Sequence, residues 1–354
     1  MNIKPRSKRI LWNAMLFASI AVLPIQDVLA CTRVLWNDNK QAVVVGRTMD
    51  WPESTQPVLT VFPRGMQRDG GRLGPQLVVP DNPARWASRY GSVVTTIYGV
   101  GTADGVNEKG FAMHMLYLTA TDFGPRDETK LGVHAGLWGQ YLLDNAETVT
   151  EALELMKGIQ PVMVSVDGIK ATVHLAIEDA AGDSAIVEYI GGKPVVHHGR
   201  QYRVMTNDPA YDEQLANLAR YDFTNATRQT ALPGNVDPRD RFIRSSYYLQ
   251  MLPEPKSQRE AIAGILAIAR NASVPFGAPN NAPGTLYNTE YRTAIDLTNR
   301  RYFFELTTTP NVIWMDLAKF DLKAGAPVMI LDPDDTDLAG NVSEKFRKAQ
   351  SSPF

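Results

Sequence analysis

At 354 residues the chain is long enough for one large domain or two ordinary ones, and its 44% hydrophobic and 21% charged residues are those of a soluble globular protein. A net charge of −2 argues against a nucleic-acid binder, which carries a basic stripe, and removes charge attraction as the main basis of substrate choice. The 23 prolines and 26 glycines are dispersed, so nothing collagen-like or low-complexity is present, and a single cysteine excludes a disulfide framework.

The first thirty residues differ from the rest. Lys4, Arg6, Lys8 and Arg9 make a positive start, and Ile10 to Leu23 is largely apolar, interrupted by Asn13 and Ser19. Pro24 breaks that run, and Ala30 puts a small residue before Cys31. A positive region, a short apolar region and a small-residue cleavage site are the three parts of a secretory signal. The apolar run is shorter than the about 20 residues a bilayer-spanning helix needs, which favours a signal over a retained anchor. The pattern predicts a signal peptide over 1–30, removed on export, and one domain over 31–354, because no linker marks a further boundary.

Beyond Cys31, Thr32 to Trp36 and Ala42 to Trp51 are β-rich runs separated by Asn37-Asp38-Asn39, which predicts a hairpin. Leu137 to Asn145 and Val149 to Lys157 have helical character. Thr172 to Ile177, Ser184 to Tyr189 and Lys193 to His198 read as strands. Glu260 to Arg270 is the clearest amphipathic helix, with Ile262, Ile265, Leu266 and Ile268 on its apolar side. Strands, then helices, then strands predict an α+β layered fold. The polar, proline-containing segment from Asp332 to Phe354 is compatible with a packed arm or a loose end.

Cys31 admits three explanations. It is an inert apolar residue, a lipidation site of the lipoprotein kind, or a nucleophile exposed as a new N-terminus. Against lipidation, Leu29 stands where a small residue is usual, and Cys31 runs straight into a strand instead of a flexible tether. For catalysis, an N-terminal cysteine carries nucleophile and base together. The thiol titrates at about 8.5 and an α-amine at about 7.7–8.0, so the amine can take the thiol proton. The five histidines form no Cys-His or metal-ligand signature, which predicts no metal and no cofactor. The adjacent pair His197 and His198 reads as solvated surface. The hairpin returns Arg47 and Asp50 toward Cys31, where a guanidinium would favour the thiolate and a carboxylate would orient the amine. An ordinary surface ion pair is the competing role for these two.

Cys31-Thr32-Arg33 at a processed N-terminus, followed by Gly46-Arg47-Thr48-Met49-Asp50-Trp51, resembles the choloylglycine hydrolase family. This family of the N-terminal nucleophile hydrolase superfamily includes penicillin V acylases and bile salt hydrolases. The resemblance continues through Asp104-Gly105-Val106-Asn107-Glu108-Lys109-Gly110-Phe111, Thr206-Asn207-Asp208-Pro209, Arg241-Phe242-Ile243-Arg244, and the strand pair from Tyr291 to Phe304 with Asp296 before its turn. It implies a four-layer αββα sandwich and an amidase without cofactor. It implies Cys31 as nucleophile, Arg47 and Asp50 as its nearest partners, and Asn207 as an oxyanion donor through its side-chain amide. Tyr117 would be the other donor through its backbone N–H, and Arg241 would order the polar network.

Trp51 and Tyr117 are candidate aromatic walls of an acyl pocket. The short segment between Asn207 and Arg241 is similar to the Gram-negative, periplasmic branch of penicillin V acylases, some of which also cleave N-acyl homoserine lactones. The expected partner is a small N-acyl amide, without nucleic acid or stable membrane insertion, and the expected assembly is a homotetramer. A bile salt hydrolase is the second expectation. A lipid-anchored or soluble non-catalytic binding protein is the expectation from another class.

Overall fold

A computed structural model describes residues 31–166, 168–279, 286–309 and 311–354, with the side chain of Leu286 left out. The signal peptide expected over 1–30 lies outside the described residues.

The chain starts as the predicted hairpin, β1 (Thr32–Trp36) and β2 (Val44–Trp51), paired antiparallel with Thr32 opposite Thr48 and Arg33 opposite Arg47. Asn39 closes its loop by accepting from the Gln41 and Ala42 N–H groups at 2.9 and 3.0 Å. Next come β3 (Val58–Phe62), β4 (Ser92–Ile97), β5 (Gly101–Asn107) and β6 (Ala112–Tyr117). The Asp104–Phe111 motif spans β5 and the turn into β6. Gly110 holds a positive φ of 85° there, and a Cβ would sit 2.5 Å from the Leu297 carbonyl, so only glycine fits.

Helices α1 (Ala135–Asn145) and α2 (Val149–Met156) follow, then β7 (Val173–Glu178), β8 (Ser184–Ile190), β9 (Lys193–His198) and β10 (Val204–Thr206). After α3 (Tyr211–Leu218), α4 (Pro238–Met251) begins with Asp237 capping the Arg239 N–H and proline at its first position. Helix α5 (Gln258–Ala272) begins with Ser257, whose hydroxyl accepts from the Glu260 N–H, while Glu260 reaches back to the Lys256 N–H at 2.7 Å. The chain then forms β11 (Leu286–Asp296), β12 (Arg301–Leu306), β13 (Ile313–Asp316) and β14 (Met329–Leu331).

These strands make two large sheets. The first runs β10-β1-β2-β11-β12-β13 with Gly340–Asn341 at its edge, and the second runs β9-β8-β7-β6-β5-β4-β3-β14 with Arg347–Lys348 at its edge. Helices α4 and α5 cover the first sheet, and α1 covers β5 and β6 of the second. The layers are therefore αββα. Gly46 lets α5 close on β2, since a Cβ there would meet Ile265 Cγ2 at 2.9 Å.

The segment from Asp332 to Phe354 is a packed arm. It adds the two edge strands, and Phe354 lays its ring 5.4 Å from that of Phe62, with Arg68 over both. The expected helices and strands all form, most within about two residues of their predicted ends, while the late strand pair begins at Leu286 instead of Tyr291. His198 is exposed as expected, but His197 packs on the Tyr202 and Tyr211 rings.

Candidate active site

Apolar side chains fill most of the interior, yet Arg33, Arg47 and Arg241 are among the largest fully buried side chains. Buried guanidinium groups persist only where they are paired, so their partners locate a polar site within the core.

Cys31 immediately precedes β1 and is 2% exposed. Because Thr32 pairs with Thr206, the register sets Cys31 beside Asn207, the residue after β10. The backbone nitrogen of Cys31 donates to Asn207 Oδ1. In the uncut chain this is the peptide nitrogen after Ala30, and it stands in for the α-amine that cleavage would release. Asn207 Nδ2 is buried and makes no hydrogen bond among the described residues, which leaves it free to donate to a substrate.

Strand alternation sends successive residues of β2 to opposite faces. Thr48 and Asp50 face the helices. Asp50 Oδ2 accepts from Thr48 Oγ1 at 3.0 Å and from Arg241 Nη1 at 2.9 Å, and Oδ1 accepts from Thr289. Thr289 faces Asp50 because the β2–β11 register shifts between Met49 and Asp50. Arg241, in the first turns of α4, also reaches Thr32 Oγ1 at 2.6 Å and the Val236 carbonyl at 2.9 Å. Burial raises the Asp50 carboxyl above its usual range, although Arg241 and the two threonines pull it down. Asp50 thus reaches the neighbourhood of Cys31, but its carboxylate is engaged elsewhere. Asn207 is the group that accepts from the Cys31 nitrogen.

Arg47 and Met49 face the second sheet. Arg47 donates to the Ala103 carbonyl at 3.1 Å, where β5 carries one extra residue, and lies 3.2 Å from Met49 Sδ. Met49 Sδ in turn lies 3.8 Å from Cys31 Sγ. Burial pushes the Cys31 thiol up, Arg47 is the largest influence pulling it down, and burial wins. The thiol therefore stays protonated until a base removes its proton.

Cys31 lines an apolar cavity of about 120 Å³ together with Met49, Trp51, Ile97, Leu116 and Tyr117. Trp51 and Tyr117 meet edge to face, with ring centroids 6.2 Å apart. None of the five histidines lines it, and no metal-ligand cluster occurs among the described residues. Of the expected site residues, Trp51 and Tyr117 line this cavity with Cys31, while Arg47, Asp50, Asn207 and Arg241 are held around Cys31 from β2, the end of β10 and α4. Met49, Thr32, Thr48 and Thr289 went unrecognised. The first three stand inside the motifs already singled out, and alternation along β1 and β2 was the signal available for them.

A thiol between two sheets, its nitrogen held by a buried asparagine and its face open to an apolar cavity, defines an amide hydrolase of the N-terminal nucleophile fold. Residues 31–339 match the linear amide C–N hydrolases of the choloylglycine hydrolase family, and the chain belongs to that family. It is 35% identical over 355 residues to penicillin V acylase of Pectobacterium atrosepticum, covering 92% of each chain. The solved penicillin V acylase of Agrobacterium tumefaciens is 39% identical, with a TM-score of 0.81 over 92% of this chain and 98% of that one. A conjugated bile acid hydrolase from Clostridium perfringens shares the fold at a TM-score of 0.74 and 21% identity, covering 86% of this chain and 98% of that one. The protein is therefore an enzyme that hydrolyses linear amides.

Proposed function

We propose that this enzyme is an exported acylase of the penicillin V type, activated when removal of residues 1–30 frees the α-amine of Cys31. The observation that carries the reading is the placement of Cys31. Its sulfur faces an apolar cavity, while its nitrogen is anchored by an asparagine with a spare N–H donor.

The thiol is held protonated by burial, and no imidazole lines the cavity. The freed amine is then the base at hand. It takes the Sγ proton as sulfur attacks the amide carbonyl, and the oxyanion gathers donors from Asn207 Nδ2 and the Tyr117 N–H. Two such donors in a dry site contribute several kcal/mol. The ammonium returns its proton to the leaving nitrogen, giving an acyl-thioester and a free amine product. Water, deprotonated by the same amine, releases the acid and restores the thiol. Before cleavage the Cys31 nitrogen is an amide with no basic lone pair, so the uncut chain lacks this base.

Trp51, Tyr117 and the aliphatic walls suit a flat aromatic or long alkyl acyl group. We therefore assign phenoxyacetyl and N-acyl homoserine lactone amides as substrates, and on the family resemblance alone we propose a periplasmic homotetramer. Comparing kcat/KM on penicillin V, glycocholate and acyl homoserine lactones of graded length tests the assignment. The first and last should exceed glycocholate by about tenfold or more. A preference for glycocholate would make this a bile salt hydrolase. Intact-mass analysis of the exported protein should find a chain beginning at Cys31 with a free amine, whereas a lipid on Cys31 would mark an anchored protein. Light scattering tests the tetramer.

A further inference from the structure

Arg33 and Arg47 are direct partners across β1 and β2, an arrangement that repels when nothing opposes it. The facing surface of the second sheet supplies the opposition as a second row. Asp104 on β5 is the direct partner of His114 on β6, and Glu178 on β7 projects from the same face. Arg33 Nη2 lies 2.5 Å from Glu178 Oε2, and His114 Nε2 lies 2.7 Å from Glu178 Oε1. His114 Nδ1 lies 3.7 Å from Asp104 Oδ2, which is 3.9 Å from Arg47 Nη1. All five side chains have no exposed surface.

A neutral imidazole has one bare nitrogen lone pair, and here either tautomer would set that lone pair within 3.7 Å of a carboxylate, with neither ring nitrogen closed off by a hydrogen bond. Only the doubly protonated ring suits both neighbours. Counted that way, the row holds three cations and two anions. The surplus sits at the Arg47 end, since Arg47 is 3.9 Å from its carboxylate and Arg33 only 2.5 Å from its own. Other polar groups flank the row, each with its own partner. His174 on β7 is paired with Glu188 at 3.0 Å, Asp50 is closed by Arg241, and Tyr302 donates its hydroxyl to Asp104 at 2.6 Å. Tyr291, beside Arg47, has its phenol pushed well up by burial and is neutral.

We propose that His114 is a positioning residue of the Cys31 site: as an imidazolium it engages Asp104 and leaves the charge of Arg47 available to the thiolate. Burial pulls the imidazole down, but Glu178 and Asp104 outweigh it and raise His114, and both carboxylates lie below their usual range. The proposal rests on Cys31 as the nucleophile, but its test does not need turnover.

In the processed protein, nitrogen NMR of labelled histidine should show both ring nitrogens of His114 protonated at pH 7. The pH profile of Cys31 alkylation by iodoacetamide should move upward in His114→Gln, with the rate at pH 7 falling about tenfold and the high-pH plateau retained. A neutral His114 at pH 7, or a folded His114→Gln with the parent profile, would overturn the proposal. If that variant does not fold, the NMR result on the parent decides. If Cys31 resists alkylation in the parent at every pH, the nucleophile assignment fails instead, and the NMR result still decides the charge on His114.

Discussion

The two faces of β2 hold two buried arginine–carboxylate pairs built on different plans. Toward the helices, Arg241 meets Asp50 at 2.9 Å, and Thr48 and Thr289 complete the carboxylate's shell. Toward the second sheet, Arg47 stands 3.9 Å from Asp104 and spends its N–H groups on backbone carbonyls and the Met49 sulfur. The first pair is a closed clamp that fixes α4 and the start of β1 around Cys31. The second is loose, and its positive charge acts on the thiol more strongly than that of Arg241. Side by side they show that burial alone does not tell whether an ion pair holds a fold together or tunes a reaction; the saturation of its hydrogen bonds does.

Substitutions can pull this contrast apart. Arg241→Met should have the largest effect, since it strands Asp50 as an uncompensated buried carboxylate. A loss of about 3–5 kcal/mol is expected in urea unfolding, and adding Asp50→Asn should return much of it. Arg47→Met should change stability less and turnover more. Loss of the guanidinium beside the thiol should lower kcat/KM by about 10²–10³-fold, on the scale of removing one preorganised donor. Full activity in folded Arg47→Met would erase the distinction between the two faces. Thr289→Val should cost about 1.5–3 kcal/mol, the scale of a hydrogen bond to a charged group, with little change in the alkylation pH of Cys31.

The smallest effect is the response to acid, because the two carboxylates oppose each other. Asp104 has its pKa lowered: burial raises it, but the neighbouring His114 and the Arg47 charge prevail. Its stabilisation is present above the unfolded value, about 3.9, and is lost as pH falls through the lower folded value. Asp50 is raised, so its stabilisation is present below about 3.9 and is lost as pH rises through its folded value. Unfolding followed from pH 6 to pH 3 should therefore lose less stability on acidification in Asp104→Asn than in the parent, and more in Asp50→Asn. Equal slopes would show that the two faces titrate alike.

Much of this was legible in the residues. The β1–β2 hairpin and the amphipathic α5 declare themselves through turn chemistry and apolar periodicity, which are local. The hairpin returns Arg47 and Asp50 to Cys31, but Asn207 and Arg241 joined them only through the family resemblance, because that meeting depends on pairings such as Thr32 with Thr206 that span most of the chain. The direction of the Asp50 carboxylate and the Arg33–Glu178–His114 row were not legible. Both depend on which residues meet across neighbouring layers, helix on sheet for Asp50 and sheet on sheet for the row, and no local pattern encodes that. His114 in particular reads as one more residue of an apolar strand.

The central claim is that Cys31, once its amine is free, carries the acyl group. The most direct test is to quench the enzyme during turnover of penicillin V and locate the bound acyl group by peptide mass analysis. A phenoxyacetyl thioester on Cys31 at the N-terminus of the chain is the predicted result. An acyl group on any other residue, or full turnover by a chain that still carries residues 1–30, would contradict it.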